Sequence, residues 1–170
     1  MKKVLLTIVI LLSIGCSKDT TIDDAYDKYE AISNTIVDED TFVLASQYFD
    51  HEFTINKIDE TTYRYYLTIL NPKVGMYDIV CAIKDVDDFD SEDIMMPSKG
   101  IFDNKVHLVP YQSNSEYNYA EGIILSGIKE VIVGSPVDFQ FKFYIEWANE
   151  RRTISTLELI EVFYLEDYRS

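Results

Sequence analysis

From Phe42 to Leu165 apolar and polar side chains alternate in short runs, the period-two pattern of strands that bury one face. Glu52 to Ile58 alternates through Phe53 and Ile55. Asp59-Glu60-Thr61-Thr62 reads as a turn into Tyr63 to Leu70, where Tyr63, Tyr65, Leu67 and Ile69 share a face. Asn71-Pro72 stops that strand, because proline has no N–H to give to a sheet ladder. Met76 to Lys84 follows, with Tyr77, Ile79, Cys81 and Ile83 on one side. Beyond an acidic loop, Lys105 to Val109 and Tyr119 to Ile128 read as further strands. The cleanest alternation sets Val137, Phe139, Phe141, Phe143, Ile145 and Trp147 against Asp138, Gln140, Lys142, Tyr144 and Glu146. Asn149-Glu150-Arg151 then turns the chain into Thr153 to Leu165, where Leu157, Leu159, Phe163 and Leu165 are expected to face one way.

Seven or eight strands at short intervals, with almost no helical pattern between them, predict an all-β domain over residues 41–170. Two packed antiparallel sheets of immunoglobulin-like architecture are the favoured arrangement, by analogy of fold only, since the Cys…Trp…Cys framework is lacking. The alternative is a small β-barrel, which a closed cavity lined by Tyr63, Tyr65 and Phe141 would favour as a ligand or metal carrier.

Before the strands, residues 16–40 are polar and acidic and are expected to form a tether. Within it Ile22, Ala25, Tyr26, Tyr29 and Ile32 recur at spacings of three and four. Thr20 or Thr21 is placed to cap a short helix, with Asp23 and Asp24 in its first turn where the helix dipole favours carboxylates. About three turns are marginal in water alone, so such a helix either packs on the domain or frays.

The first residues change the picture of where the domain works. Lys2 and Lys3 precede an apolar run from Val4 to Ile14, broken only by Thr7 and Ser13 and much shorter than the ~18–20 residues of a spanning helix. A basic start, a short apolar core and a close on small residues form the pattern of a secretory signal. Leu11-Leu12-Ser13-Ile14-Gly15-Cys16 resembles the lipobox of bacterial lipoproteins, although Ser13 stands where that motif usually has Leu. The resemblance covers residues 1–16. It implies removal of a signal peptide at 1–15, a diacylglyceryl lipid on Cys16, and anchorage in the cell envelope on the extracytoplasmic face of a membrane. Ser17-Lys18-Asp19 is similar to, but shorter than, the acidic clusters that direct some lipoproteins to the outer surface. More than one acyl chain is needed for stable anchoring, which such modification supplies.

Charge narrows the partners. The chain carries 15 Lys and Arg against 30 Asp and Glu. Loss of Lys2 and Lys3 with the leader leaves 13 against 30, a formal balance of −17. That surface repels nucleic acid and favours cationic partners. With Cys16 spent on lipid, Cys81 has no disulfide partner and reads as a small core residue, so apolar burial must hold the domain together.

Candidate chemistry is sparse. The acidic loop from Asp85 to Asp93 offers Asp85, Asp87, Asp88 and Asp90 as calcium ligands, since calcium takes six to eight oxygens. Neither counting frame meets the EF-hand order, and a solvated loop is the preferred account. The stretch from Tyr111 to Tyr119 interleaves aromatic rings with amides and hydroxyls, a composition suited to recognition. Tyr111, Gln112, Asn114, Tyr117 and Tyr119 are its candidate ligand-binding residues. His51 and His107 stand in no metal-ligand spacing, no Gly-x-Ser-x-Gly is present, and the six glycines form no phosphate loop. The expectation is therefore a lipid-anchored, non-enzymatic protein that needs no cofactor. It would bind an extracellular protein or other ligand of cationic character, an immunity or exclusion role against a cationic partner being one form of this. Cys16→Ser should abolish acylation, leaving the protein uncleaved or releasing it from the membrane fraction. An unchanged mass and detergent partitioning would refute the lipobox reading.

Overall fold

The computed structural model describes residues 20–88, 95–111, 119–134 and 137–165. The leader and Cys16 lie outside them. Among the described residues eight strands form two antiparallel sheets. β1 (Asp50–Lys57), β2 (Thr62–Leu70) and β6 (Ile123–Glu130) make the smaller, in the order β1-β2-β6. The larger has five strands: β4 (Ser98–Lys99), β3 (Met76–Asp85), β7 (Asp138–Ala148) and β8 (Ser155–Leu165) in that order, with β5 (Val106–Leu108) also paired to β3. The described residues thus form an all-β sandwich with one α-helix, not a closed barrel.

The alternation read from the sequence decides which side chains meet. Phe139, Phe141, Phe143, Ile145 and Trp147 of β7 face Tyr63, Tyr65, Leu67 and Ile69 of β2, all nearly excluded from solvent. The space proposed for a carrier's cavity is filled: the rings of Tyr65 and Phe141 lie 4.4 Å apart, and those of Tyr63 and Phe139 5.3 Å. Gly127 lies opposite Tyr65 on β6, and a Cβ there would sit 2.3 Å from the tyrosine oxygen. Only glycine leaves room for that ring.

The shared face expected for Leu157, Leu159, Phe163 and Leu165 is not the core face of β8. Directly opposed residues in an antiparallel pair point the same way. Ile160 opposes Phe143 and Val162 opposes Phe141, so the even positions enter the core, while Leu157 and Phe163 are about half exposed. Both parities of this strand are apolar, and only its partner decides between them. A second departure lies at the start of β3, where the register with β7 slips between Tyr77 and Val80 and Asp78 takes a left-handed backbone (φ 53°). This bulge removes Tyr77 from the core that holds Ile79, Cys81 and Ile83.

The acidic stretch expected as a tether carries a longer and better-packed helix than its spacing indicated. α1 spans Thr20–Asp38, with Asp23 in its first turn. Its Ile32 and Ile36 are buried with Val80, Ala82, Met96 and Tyr144 on the outer face of the larger sheet. Polar contacts fix the dock: Lys28 to Glu146 at 3.3 Å, Lys84 to the Ser33 hydroxyl at 3.1 Å, and the Met96 N–H to the Tyr29 oxygen at 2.6 Å. The helix therefore belongs to the folded unit, and β3, covered on both sides, is buried along most of its length. Residues 39–49, where alternation begins, add only one parallel bridge, Val43 to Ile160 at the outer edge of β8.

Docking of α1 predicts unequal costs along the helix. Ile36→Ala should destabilise the fold by about 2–5 kcal/mol in urea unfolding. Ile22→Ala, on the half-exposed first turns, should stay within about 0.5 kcal/mol. Equal, small effects at both positions would show that the helix does not pack.

Candidate functional site

One end of the sandwich is assembled by the β1–β2 hairpin. Because Asp50 pairs with Leu70, the turn that leaves β2 brings Asn71 and Lys73 back beside it. The Asp50 carboxylate lies 2.9 Å from the Lys73 ammonium and accepts a hydrogen bond from the Asn71 amide at 3.2 Å. These two partners hold its carboxyl below the usual carboxylate range. Asn71 adopts φ 49°, a left-handed conformation that asparagine tolerates better than most residues.

This wall faces a cleft of about 750 Å³, closed on the other side by Val109, Pro110, Tyr111, Ala120 and Glu121. Tyr111 is fully exposed and also left-handed, at φ 62°. That conformation is unfavourable for a bulky side chain, and no burial of the ring offsets it. The cleft thus combines an aromatic platform, two prolines, an amide and a bridged carboxylate–ammonium pair. It can stack on a flat group and hydrogen-bond around it.

Of the recognition residues expected from the sequence, Tyr111 stands at this cleft, whereas Tyr119 turns elsewhere; Gln112, Asn114 and Tyr117 lie outside the described residues. Tyr119 meets His107 at 5.4 Å and Tyr77 at 6.4 Å between ring centres. That cluster is pinned to the bulge. The Asp78 N–H donates to His107 Nδ1 at 2.9 Å, and Arg152 Nε donates to the Asp78 carboxylate at 3.0 Å while its guanidinium lies 4.4 Å from the centre of the Tyr77 ring. Burial, then Glu150, pushes the Tyr77 phenol upward. Nothing in the spacing of Tyr77, His107, Tyr119 and Arg152 announces this group, which the bulge and the turn between β7 and β8 create.

Two of the proposed calcium ligands, Asp85 and Asp87, converge on a lysine. Asp85 is buried, and its carboxylate lies 2.6 Å from the ammonium of Lys129, which also reaches Asp87 at 3.1 Å. The cation between these two acids is a lysine from the inward face of β6, a partner 42 residues from Asp87 that no local motif reveals. Asp88 closes a 3₁₀ turn with Val86 and Asp87, and Asp90 lies outside the described residues. Among the described residues no three His, Cys, Asp or Glu side chains converge as a metal site would require. Cys81 is wholly buried, and burial pushes its thiol up to about 12, so it carries negligible thiolate near neutrality. Comparison with protein-family models, with curated proteins and with solved structures gives no match.

His51 generates the pH prediction for this end of the molecule. It sits half-buried on the inner face of β1, and burial lowers its pKa below 6.5, with Asp50 opposing weakly. Folding therefore favours the neutral imidazole. Its contribution is complete above about pH 6.5 and is lost as the pH falls toward the lower folded value. Asp50 acts in a separate window, below about pH 3.8. His51→Gln should flatten the loss of stability as the pH falls below about 6.5 in chemical unfolding. A variant that tracks the native protein through that window would refute the assignment.

Proposed function

We propose that the chain is a lipid-anchored protein of the cell envelope, held on the extracytoplasmic face, whose sandwich binds an extracellular protein without catalysing a reaction. The anchor rests on the leader and Cys16 read from the sequence. The order β1-β2-β6 against β3-β7-β8 supports taking the sandwich as immunoglobulin-like, in the sense of strands A-B-E against C-F-G. Such sandwiches carry their recognition loops at the ends of the sheets, which is where the cleft lies.

The observation that carries the reading is Tyr111: a fully exposed ring, on an unfavourable backbone, at the lip of a cleft. Packing does not account for it, and contact with a partner does. The partner is basic, since the chain has an excess of 15 acidic over basic side chains and the cleft lining, with Asp50 and Glu121 against Lys73, is itself acidic on balance. Steering by such a surface raises the association rate and is weakened by salt.

Cross-linking in native membranes, followed by rate measurements on the captured partner, tests this. Tyr111→Ala should weaken binding by about 2 kcal/mol, some thirtyfold, chiefly through faster release. Raising the ionic strength should slow association while leaving release nearly unchanged. A partner of strongly acidic character, or Tyr111→Ala binding as the native protein does, would overturn the proposal.

A further inference from the structure

The edges of the two sheets are not treated alike. β3 is covered along its outer side by β4 and β5, and the free side of β8 is bridged by Val43, whose N–H and C=O both bond to it. In the smaller sheet β1 is edged by charged Asp50, Glu52 and Lys57. β6 is different. Among the described residues its side away from β2 receives no backbone hydrogen bond, and from Ile123 to Ile128 it carries no charge. Its one lysine, Lys129, points inward and is consumed by Asp85 and Asp87. On the outward face Ile124 and Ile128 are 66% and 54% exposed, with Ser126 between them and Tyr66 of β2 beside it. An uncharged edge bearing exposed branched side chains is a template for another strand.

We propose that the occupant is β6 of a second copy, paired antiparallel about a two-fold axis at Ser126. The strand is self-complementary in that register. Ser126 opposes Ser126 of the partner subunit, and Ile124 opposes Ile128 of the partner subunit, twice. Directly opposed side chains on one face of an antiparallel pair are about 4.5–5.5 Å apart at Cβ, so both isoleucine pairs come into contact. The two three-stranded sheets become one of six, with the Tyr66 rings flanking the joint. A chain of net −15 repels itself over most of its surface, and the uncharged edge is where two copies approach with least repulsion. This pairing does not involve the cleft and stands or falls apart from it.

The test is cross-linking by position, in the full-length chain in membranes. Cys81 is buried, and the native protein under the same oxidant serves as control for Cys16. Ser126→Cys should form a disulfide-linked dimer readily. Ile124→Cys and Ile128→Cys should each link poorly to themselves and readily to one another when co-expressed. Ile128→Lys changes an exposed side chain, leaves the fold intact, and should raise the dissociation constant of the detergent-solubilised dimer at least tenfold in sedimentation. The proposal is overturned if Ser126→Cys links to itself no faster than the exposed control Thr54→Cys on β1. It is equally overturned if Ser126→Cys links only to a foreign protein, which would make the edge a docking strand for another chain.

Discussion

The rings of Tyr65 and Phe53 on the smaller sheet close on Phe141 of the larger at 4.4 and 5.1 Å, and the two sheets are positioned by that contact. Aromatic side chains bury more area than any others and also prefer particular mutual angles. A run of them on β7 therefore sets how the layers lie as well as how firmly they hold. Gly127 is part of the same arrangement, since it is the gap beneath Tyr65 that lets the phenol lie over β6. With no disulfide among the described residues and a lone buried thiol, this packing is what keeps the sandwich closed.

From it the rest of the architecture follows in layers. The even positions of β3 and β7 are left facing outward, and their apolar members Val80, Ala82 and Tyr144 need a cover, which α1 provides. At the far edge the inward side of β6 ends in Lys129, a charge that the sandwich can hold only because Asp85 and Asp87 approach it from β3 and the turn beyond. A buried ammonium without such partners would be costly, so the two acids serve the closure of the sheets.

The sandwich was largely legible in the sequence because one buried face per strand enforces alternation, most plainly along Val137 to Trp147. It was not legible where that constraint fails. β8 is apolar on both parities, so its core face depends on Phe141 and Phe143 across the ladder. β4 has two residues, too few to show any period. The bulge at Asp78 shifts Tyr77 out of step with Ile79 without any change in composition. Ile36 continues the helical spacing from Ile32, yet the acidic composition around it gave no sign that the helix would dock. At the candidate site Tyr111 was visible as part of a tyrosine-rich stretch. The wall of Asp50, Asn71 and Lys73 was not, because residues 21 and 23 apart meet only through the pairing of β1 with β2.

If Cys16 carries the lipid proposed above, the position of α1 also sets the mechanical relation between domain and membrane. The helix begins at Thr20, four residues after Cys16. Four residues of fully extended chain reach at most ~14 Å. A folded unit of this length has a radius of gyration on the order of 14–15 Å. With a lipid at Cys16 the leash is thus no longer than the body it holds, and the domain cannot turn end over end above the bilayer. One side would stay turned to the lipid headgroups. A partner would approach only from the side or from above, and two copies on one membrane would meet in a nearly fixed attitude. Their encounters would then become a search in two dimensions with few orientations left to sample.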